Sequence, residues 1–111
     1  MKILITGNNG YIGPILEKIL LARGHEITGL DANYFEDLLF FKNVTERKQI
    51  VKDIRAIEAT DLEGIDAVVH LAGLSNDPMG SMDDKLTDQI NYQSTKTLAT
   101  LCKSMRVRRF I

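Results

Sequence analysis

Apolar and polar positions in this chain fall into blocks of two kinds, short solid apolar runs and longer stretches with a helical period. Lys2 to Thr6 (KILIT) is an apolar run stopped by Gly7, which predicts a buried strand. Ile12, Ile15, Leu16, Ile19 and Leu20 recur at helical spacing and predict the inward face of a helix, with Gly24 as its C-terminal stop. Glu26 to Leu30 predicts a second strand ending at Asp31, while Tyr34 to Phe41 is apolar without a period and reads as a loop or short turn. Lys48 to Lys52 predicts a third strand, followed by a short helical piece before Gly64. Asp66 to Ala72 (DAVVHLA), flanked by Gly64 and Gly73, predicts a fourth. Leu86 to Met105 predicts a long helix, and Val107 to Ile111 begins a fifth strand.

Strands that are apolar throughout and alternate with helices imply a parallel sheet covered on both faces. Right-handed crossovers then give an α/β, Rossmann-like doubly wound sheet in the order 3-2-1-4-5, truncated at strand five. No repeat, low-complexity tract or linker divides the chain, so residues 1–111 are expected to form one domain. The abrupt stop within the last strand is read as the mark of an N-terminal fragment.

Composition narrows the partners. The 14 Lys+Arg against 15 Asp+Glu argue against a nucleic-acid or anionic-membrane binder, which would carry a basic excess. The single cysteine, Cys102, excludes an internal disulfide and a multi-cysteine metal site, and it has no cationic company that would make it reactive. No apolar run approaches the ~18 residues of a membrane span. The Gly and Asn residues of MKILITGNNG interrupt what a signal peptide would need. A soluble, cytoplasmic setting is the expectation.

The chemistry concentrates after the first strand, in Gly7-Asn8-Asn9-Gly10-Tyr11-Ile12-Gly13. Glycines there permit a tight turn and let backbone approach a pyrophosphate, which then sits at the positive end of the following helix. Asp31, at the end of the second strand, stands where a carboxylate accepts hydrogen bonds from both adenosine ribose hydroxyls. It would repel a 2′-phosphate, and no Arg or Lys lies in Gly7 to Gly13 or Asp31 to Phe35 to receive one. The expected cofactor is therefore NAD rather than NADP. The turn contains no lysine, which argues against a phosphate-cradling Walker loop.

These segments resemble the extended short-chain dehydrogenase/reductase family, in particular its NAD-dependent nucleotide-sugar epimerases and dehydratases, over essentially the whole chain. Thr6 to Gly13 is similar to that family's TGGxGFIG turn, and Asp53-Ile54 to its adenine-contacting Asp-Ile after strand three. His70-Leu71-Ala72-Gly73-Leu74-Ser75 resembles its HLAA segment, Asn91 in INYQSTKTL the Asn of its NVxGTxxLL helix, and Val107 to Ile111 its VKRFVYxSS strand. The Ser75-Asn76-Asp77-Pro78 turn is similar to one sugar-epimerase branch. The resemblance implies cofactor contacts from Gly7, Gly10, Tyr11, Ile12, Gly13, Asp31, Asp53, Ile54, Leu71, Ala72 and Gly73, with Asn91 bracing the site from below. Taken without it, Asp53 can also be a polar strand end, Asn91 a helix-surface amide and His70 a packed strand residue. Phe35, Phe40 and Phe41 are expected at a sheet edge. Pro14, just after the third glycine, departs from the pattern, and Gly73 stands in place of its second alanine.

The family's catalytic serine and Tyr-x-x-x-Lys fall beyond Ile111. The one such spacing present, Tyr92 to Lys96, lies opposite the stripe Leu86, Ile90, Ser94, Leu98, Leu101 and Met105, and one strand too early, so it is read as solvent-exposed. The expectation is the NAD-binding portion of an epimerase or dehydratase acting on a nucleotide sugar by transient hydride transfer, inactive as this chain alone. The alternative is a non-catalytic, dinucleotide-sensing or regulatory protein of the same fold. A homodimer or other self-association, through the helix from Leu86, is expected.

Overall fold

The computed structural model describes residues 1–34, 47–74 and 84–111. The chain runs through β1 (Lys2–Thr6), α1 (Gly13–Ala22), β2 (Glu26–Asp31) and β3 (Lys48–Val51). Two short 3-10 turns follow (Ile54–Ala56, Ala59–Leu62), then β4 (Ala67–His70). The last part is α2 (Asp84–Thr87), a π-helical turn (Asp88–Gln93), α3 (Ser94–Ser104) and β5 (Arg109–Phe110). All pairings are parallel and the order is β3-β2-β1-β4-β5, as the alternation of strands and helices predicts.

Alternation along β1 sorts the core into two layers, because successive strand residues point to opposite faces. Leu4 joins Leu30, Val68, Leu98 and Cys102 under α3, whereas Ile3 and Ile5 join Ile27 and Ala67 under α1. Cys102 is a packing residue, and its burial pushes the thiol pKa up. Register then levels the carboxyl ends: Thr6 lies opposite both Leu30 and His70, and Asp31 opposite Val51. The chain leaves β1 toward β2 on one side and returns to β4 on the other, so these ends flank the crevice where open α/β sheets bind ligands.

Four expectations are corrected. The inward face of α1 is Leu16, Leu20 and Leu21 with Gly13, Pro14 and Glu17, while Ile12, Ile15 and Ile19 stand exposed. An acid displaces isoleucine from the buried face because it finds polar partners there, described below. The fourth strand ends at His70 rather than Ala72, because β1 ends at Thr6 and its carbonyl, taken by the Leu71 N–H, is the last backbone acceptor β1 offers. The long helix starts at Asp84, two residues before Leu86, and carries a π turn. Strand five is reduced to Arg109–Phe110. Tyr34 is an exposed turn residue; Phe35, Phe40, Phe41 and the Ser75 to Pro78 turn lie outside the described residues.

Candidate functional site

The glycine turn is built by close approach. Gly7 has φ +68°, a conformation open to glycine, and donates its N–H to the Leu30 carbonyl at 2.8 Å. A Cβ on Gly7 would lie 2.6 Å from the Ala72 nitrogen, and one on Gly13 would lie 2.0 Å from the Asn8 carbonyl oxygen. The protein's own packing thus accounts for both. It does not account for Gly10, whose Cβ would meet nothing closer than the Gly7 carbonyl oxygen at 3.2 Å and which lies exposed. Behind it α1 opens without a side-chain cap and without an acid in its first turn. Pro14 sits in that turn, where a missing N–H deprives no carbonyl of a partner. The result is a helix N-terminus without a side-chain cap, fronted by an exposed glycine, a fit for a phosphate group.

Asp31 flanks this opening. Its Oδ1 accepts from the Asn33 backbone N–H at 2.8 Å and its Oδ2 from that of Asn9 at 3.1 Å. Two fixed donors orient the carboxylate and leave each oxygen further acceptor capacity for a pair of vicinal hydroxyls. Asn33 reaches this position with φ +58°, which asparagine tolerates.

Asp53 caps the turn after β3, accepting from the Arg55 N–H, and pairs with the Arg55 guanidinium at 2.7 Å while receiving the Tyr34 hydroxyl at 3.2 Å. The hydrogen bonds from Arg55 bring its pKa down from 3.8 to about 2. The Ile54 side chain belongs to the core, so only its backbone can face a ligand. Tyr11 is the most exposed large apolar residue of the turn at 79%, with Ile12 beside it at 60%.

On the β4 side, the Leu71 N–H reaches the Thr6 carbonyl at 3.0 Å and the Ala72 N–H reaches Thr6 Oγ1 at 3.4 Å. His70 is half-buried between hydroxyls, with Nδ1 2.7 Å from Thr6 Oγ1 and Nε2 2.8 Å from Thr95 Oγ1. Thr95 donates to the Asn91 carbonyl, so the neutral ring donates through Nε2 and accepts at Nδ1. Burial lowers its pKa below 6.5. The ring stacks on Phe110, and this is a packing role, with no metal-binding cluster among the described residues. Asn91 grips both backbone groups of Leu74, at 2.7 and 2.8 Å. It also lies 3.2 Å from where a Gly73 Cβ would be, so part of the room that glycine leaves is taken by Asn91. Tyr92 and Lys96 are both exposed.

Sequence reading missed a polar cluster beneath the turn. Asn8 and Glu17 are both fully buried, and Asn8 Nδ2 donates to Glu17 Oε1 and to Gln49 Oε1, each at 2.9 Å. Glu17 Oε2 is 3.0 Å from Arg47 Nη1, an ion pair without the alignment of a hydrogen bond. Burial raises the Glu17 pKa, with Arg47 and Asn8 opposing. Arg47 Nη2 goes on to Asn9 Oδ1 at 2.7 Å, and Asn9 Nδ2 to Asn33 Oδ1 at 2.6 Å. An arginine distant in sequence therefore does reach the neighbourhood of Asp31. The legible signals were a lone acid in an apolar helix and Gly29 inside a strand, which marks a close approach.

Residues 3–111 match the family model described as the NAD dependent epimerase/dehydratase family. The chain is 29% identical, over 100% of its length and 32% of the relative's, to a 2-alkyl-3-oxoalkanoate reductase of Stenotrophomonas maltophilia. It superposes on TunA, an NAD-dependent NDP-hexosamine 5,6-dehydratase of tunicamycin biosynthesis, with TM-score 0.88 and 30% identity over 99% of this chain and 36% of that one. The Thermus thermophilus UDP-glucose 4-epimerase in complex with NAD gives 0.87 and 25% over the same shares, 99% and 36%. The chain thus spans about a third of the length of each of these relatives.

Proposed function

The chain belongs to the NAD dependent epimerase/dehydratase family, and from that premise we propose that it is the NAD-holding part of an enzyme acting on a nucleotide sugar by transient hydride transfer. The observation that carries the reading is the pairing of Asp31, its carboxylate oriented by two backbone N–H groups, with an uncapped helix end opened by Gly10. A dinucleotide needs both at once, a hydroxyl acceptor for the adenosine ribose and a partial positive charge for the pyrophosphate.

In this reading the turn from Gly7 to Gly13 seats the pyrophosphate, with Tyr11 and Ile12 at its rim. Asp31 takes the ribose hydroxyls, and Asp53 with the Ile54 backbone borders the adenine. Leu71, Ala72 and Gly73 line the far side through their backbone, and Asn91 holds that segment in place through Leu74. NAD, when bound, supplies the hydride acceptor. In this reading the described residues contribute binding and orientation, and the exposed Tyr92 and Lys96 take no part in the chemistry. The sugar-nucleotide substrate is supported by the likeness to an NDP-hexosamine 5,6-dehydratase and a UDP-glucose 4-epimerase.

Gly10→Ala tests the reading. Its Cβ would press on the Gly7 carbonyl oxygen at 3.2 Å, a crowding that a shift of a few tenths of an ångström relieves, so the fold should survive with a slightly lowered thermal melt while NAD affinity falls at least about tenfold, or about 1.4 kcal/mol. Unaltered NAD binding by this variant, measured by calorimetric titration, would contradict a pyrophosphate seat at the turn.

A further inference from the structure

We propose that the buried Glu17–Arg47 pair is a positioning device for the adenosine half of the cofactor, acting through Asn9 on the two N–H donors that hold Asp31. The proposal deepens the reading above and rests on Asp31 receiving the adenosine ribose.

A buried ion pair is weak support for stability, because an apolar pair of similar volume serves a core as well or better. What it can secure is orientation. Arg47 uses its planar fork on three elements: Nε to Gln49 Oε1 on β3 at 2.8 Å, Nη1 to Glu17 on α1, Nη2 to Asn9 Oδ1 on the turn. A lysine could not span these directions from one point charge. Asn9, held at Oδ1 by Arg47 and at Nδ2 by Asn33, cannot rotate its amide, and the backbones of these two asparagines grip Asp31. Both sides of the Asp31 clamp are therefore tied to one guanidinium. Glu17 is fully buried and Arg47 retains 13% of its side-chain exposure, so the pair is held from within.

The pairing also decides the charge presented to the ribose. An arginine bonded to Asn9, the residue whose N–H holds Asp31, would by itself invite a 2′-phosphate. Glu17 offsets that charge from the buried side, which keeps the neighbourhood of Asp31 suited to NAD.

The experiment is a double-mutant cycle on NAD affinity in the full-length gene product, with Asp31→Ala as control. Arg47→Met and Asn9→Ala should each weaken NAD about fivefold to tenfold, and the double variant should be no worse than the poorer single one, since both break one relay. Independent, multiplying losses would overturn the relay. If Arg47→Met does not fold, Arg47→Lys keeps the charge without the fork and should show the same loss and the same non-additivity. Glu17→Gln keeps an acceptor for Asn8 but removes the buried negative charge beside the guanidinium. It should raise NADP affinity relative to NAD about fivefold, a change in selectivity that a role confined to packing would not produce; an unchanged ratio overturns the charge-offsetting role. A loss with Asp31→Ala but none with Arg47→Met sinks the relay and leaves the NAD site standing. No loss with Asp31→Ala sinks both.

Discussion

Gly29 shows how much of the site rests on atoms that are missing. A Cβ there would come within 2.3 Å of Asn8 Nδ2 and 2.6 Å of Gln49 Oε1, so the amide pair beneath the turn exists only because β2 leaves it room. Gly29→Ala should destabilise the fold by about 1–3 kcal/mol, read as a lower midpoint in chemical denaturation. Stability within about 0.5 kcal/mol of wild type would mean the cluster relaxes at no cost. A glycine inside an apolar strand was legible as a sign of crowding; which side chain needed the space was not, because Asn8 and Gln49 come from opposite ends of a long connection. His70 makes a second test at this scale. Above pH 6.5 the ring is neutral in both folded and unfolded chains and costs nothing. As pH falls through 6.5 the unfolded chain takes up a proton that the buried ring resists, so stability should drop until its lowered folded pKa is reached. His70→Asn should remove that part of the slope in a pH series of unfolding curves, and an unchanged slope would assign the protonation elsewhere.

Elements were legible where one physical rule governs them. The runs KILIT and EITGLD are strands because they are apolar, short and bounded by turn residues, and they match β1 and β2. The inward face of α1 was misread for an instructive reason. A hydrophobic pattern assumes that acids stay in water, and Glu17 breaks the assumption only because Arg47 and Asn8 meet it inside. The π turn at Asp88–Gln93 gives no hydrophobic signal either. Here Ser94 donates to the Ile90 carbonyl and Thr95 to that of Asn91, local bonds that compete with the regular ladder. The turn carries Asn91, whose two hydrogen bonds to Leu74 tie this helix to the end of the segment after β4.

At the scale of the molecule, strand order follows from connectivity, and the alternation of apolar runs with helical stretches was enough to predict it. The glycine turn and Asp31 stood out as candidates because the roles proposed for them depend on backbone geometry at a fixed place in a parallel sheet. The relay beneath them did not, since it joins residues 8, 9, 17, 33, 47 and 49 through tertiary packing alone. No helix among the described residues is long and apolar enough to cross a membrane. The central claim is that this sheet end holds NAD by Asp31. The most direct test is calorimetric titration of NAD and NADP into the protein and its Asp31→Ala variant. The account predicts that the wild type binds NAD at least about tenfold more tightly than NADP, and that Asp31→Ala loses most of that margin by weakening NAD. Equal affinity for the two cofactors in the wild type, or NAD binding indifferent to Asp31→Ala, would contradict it.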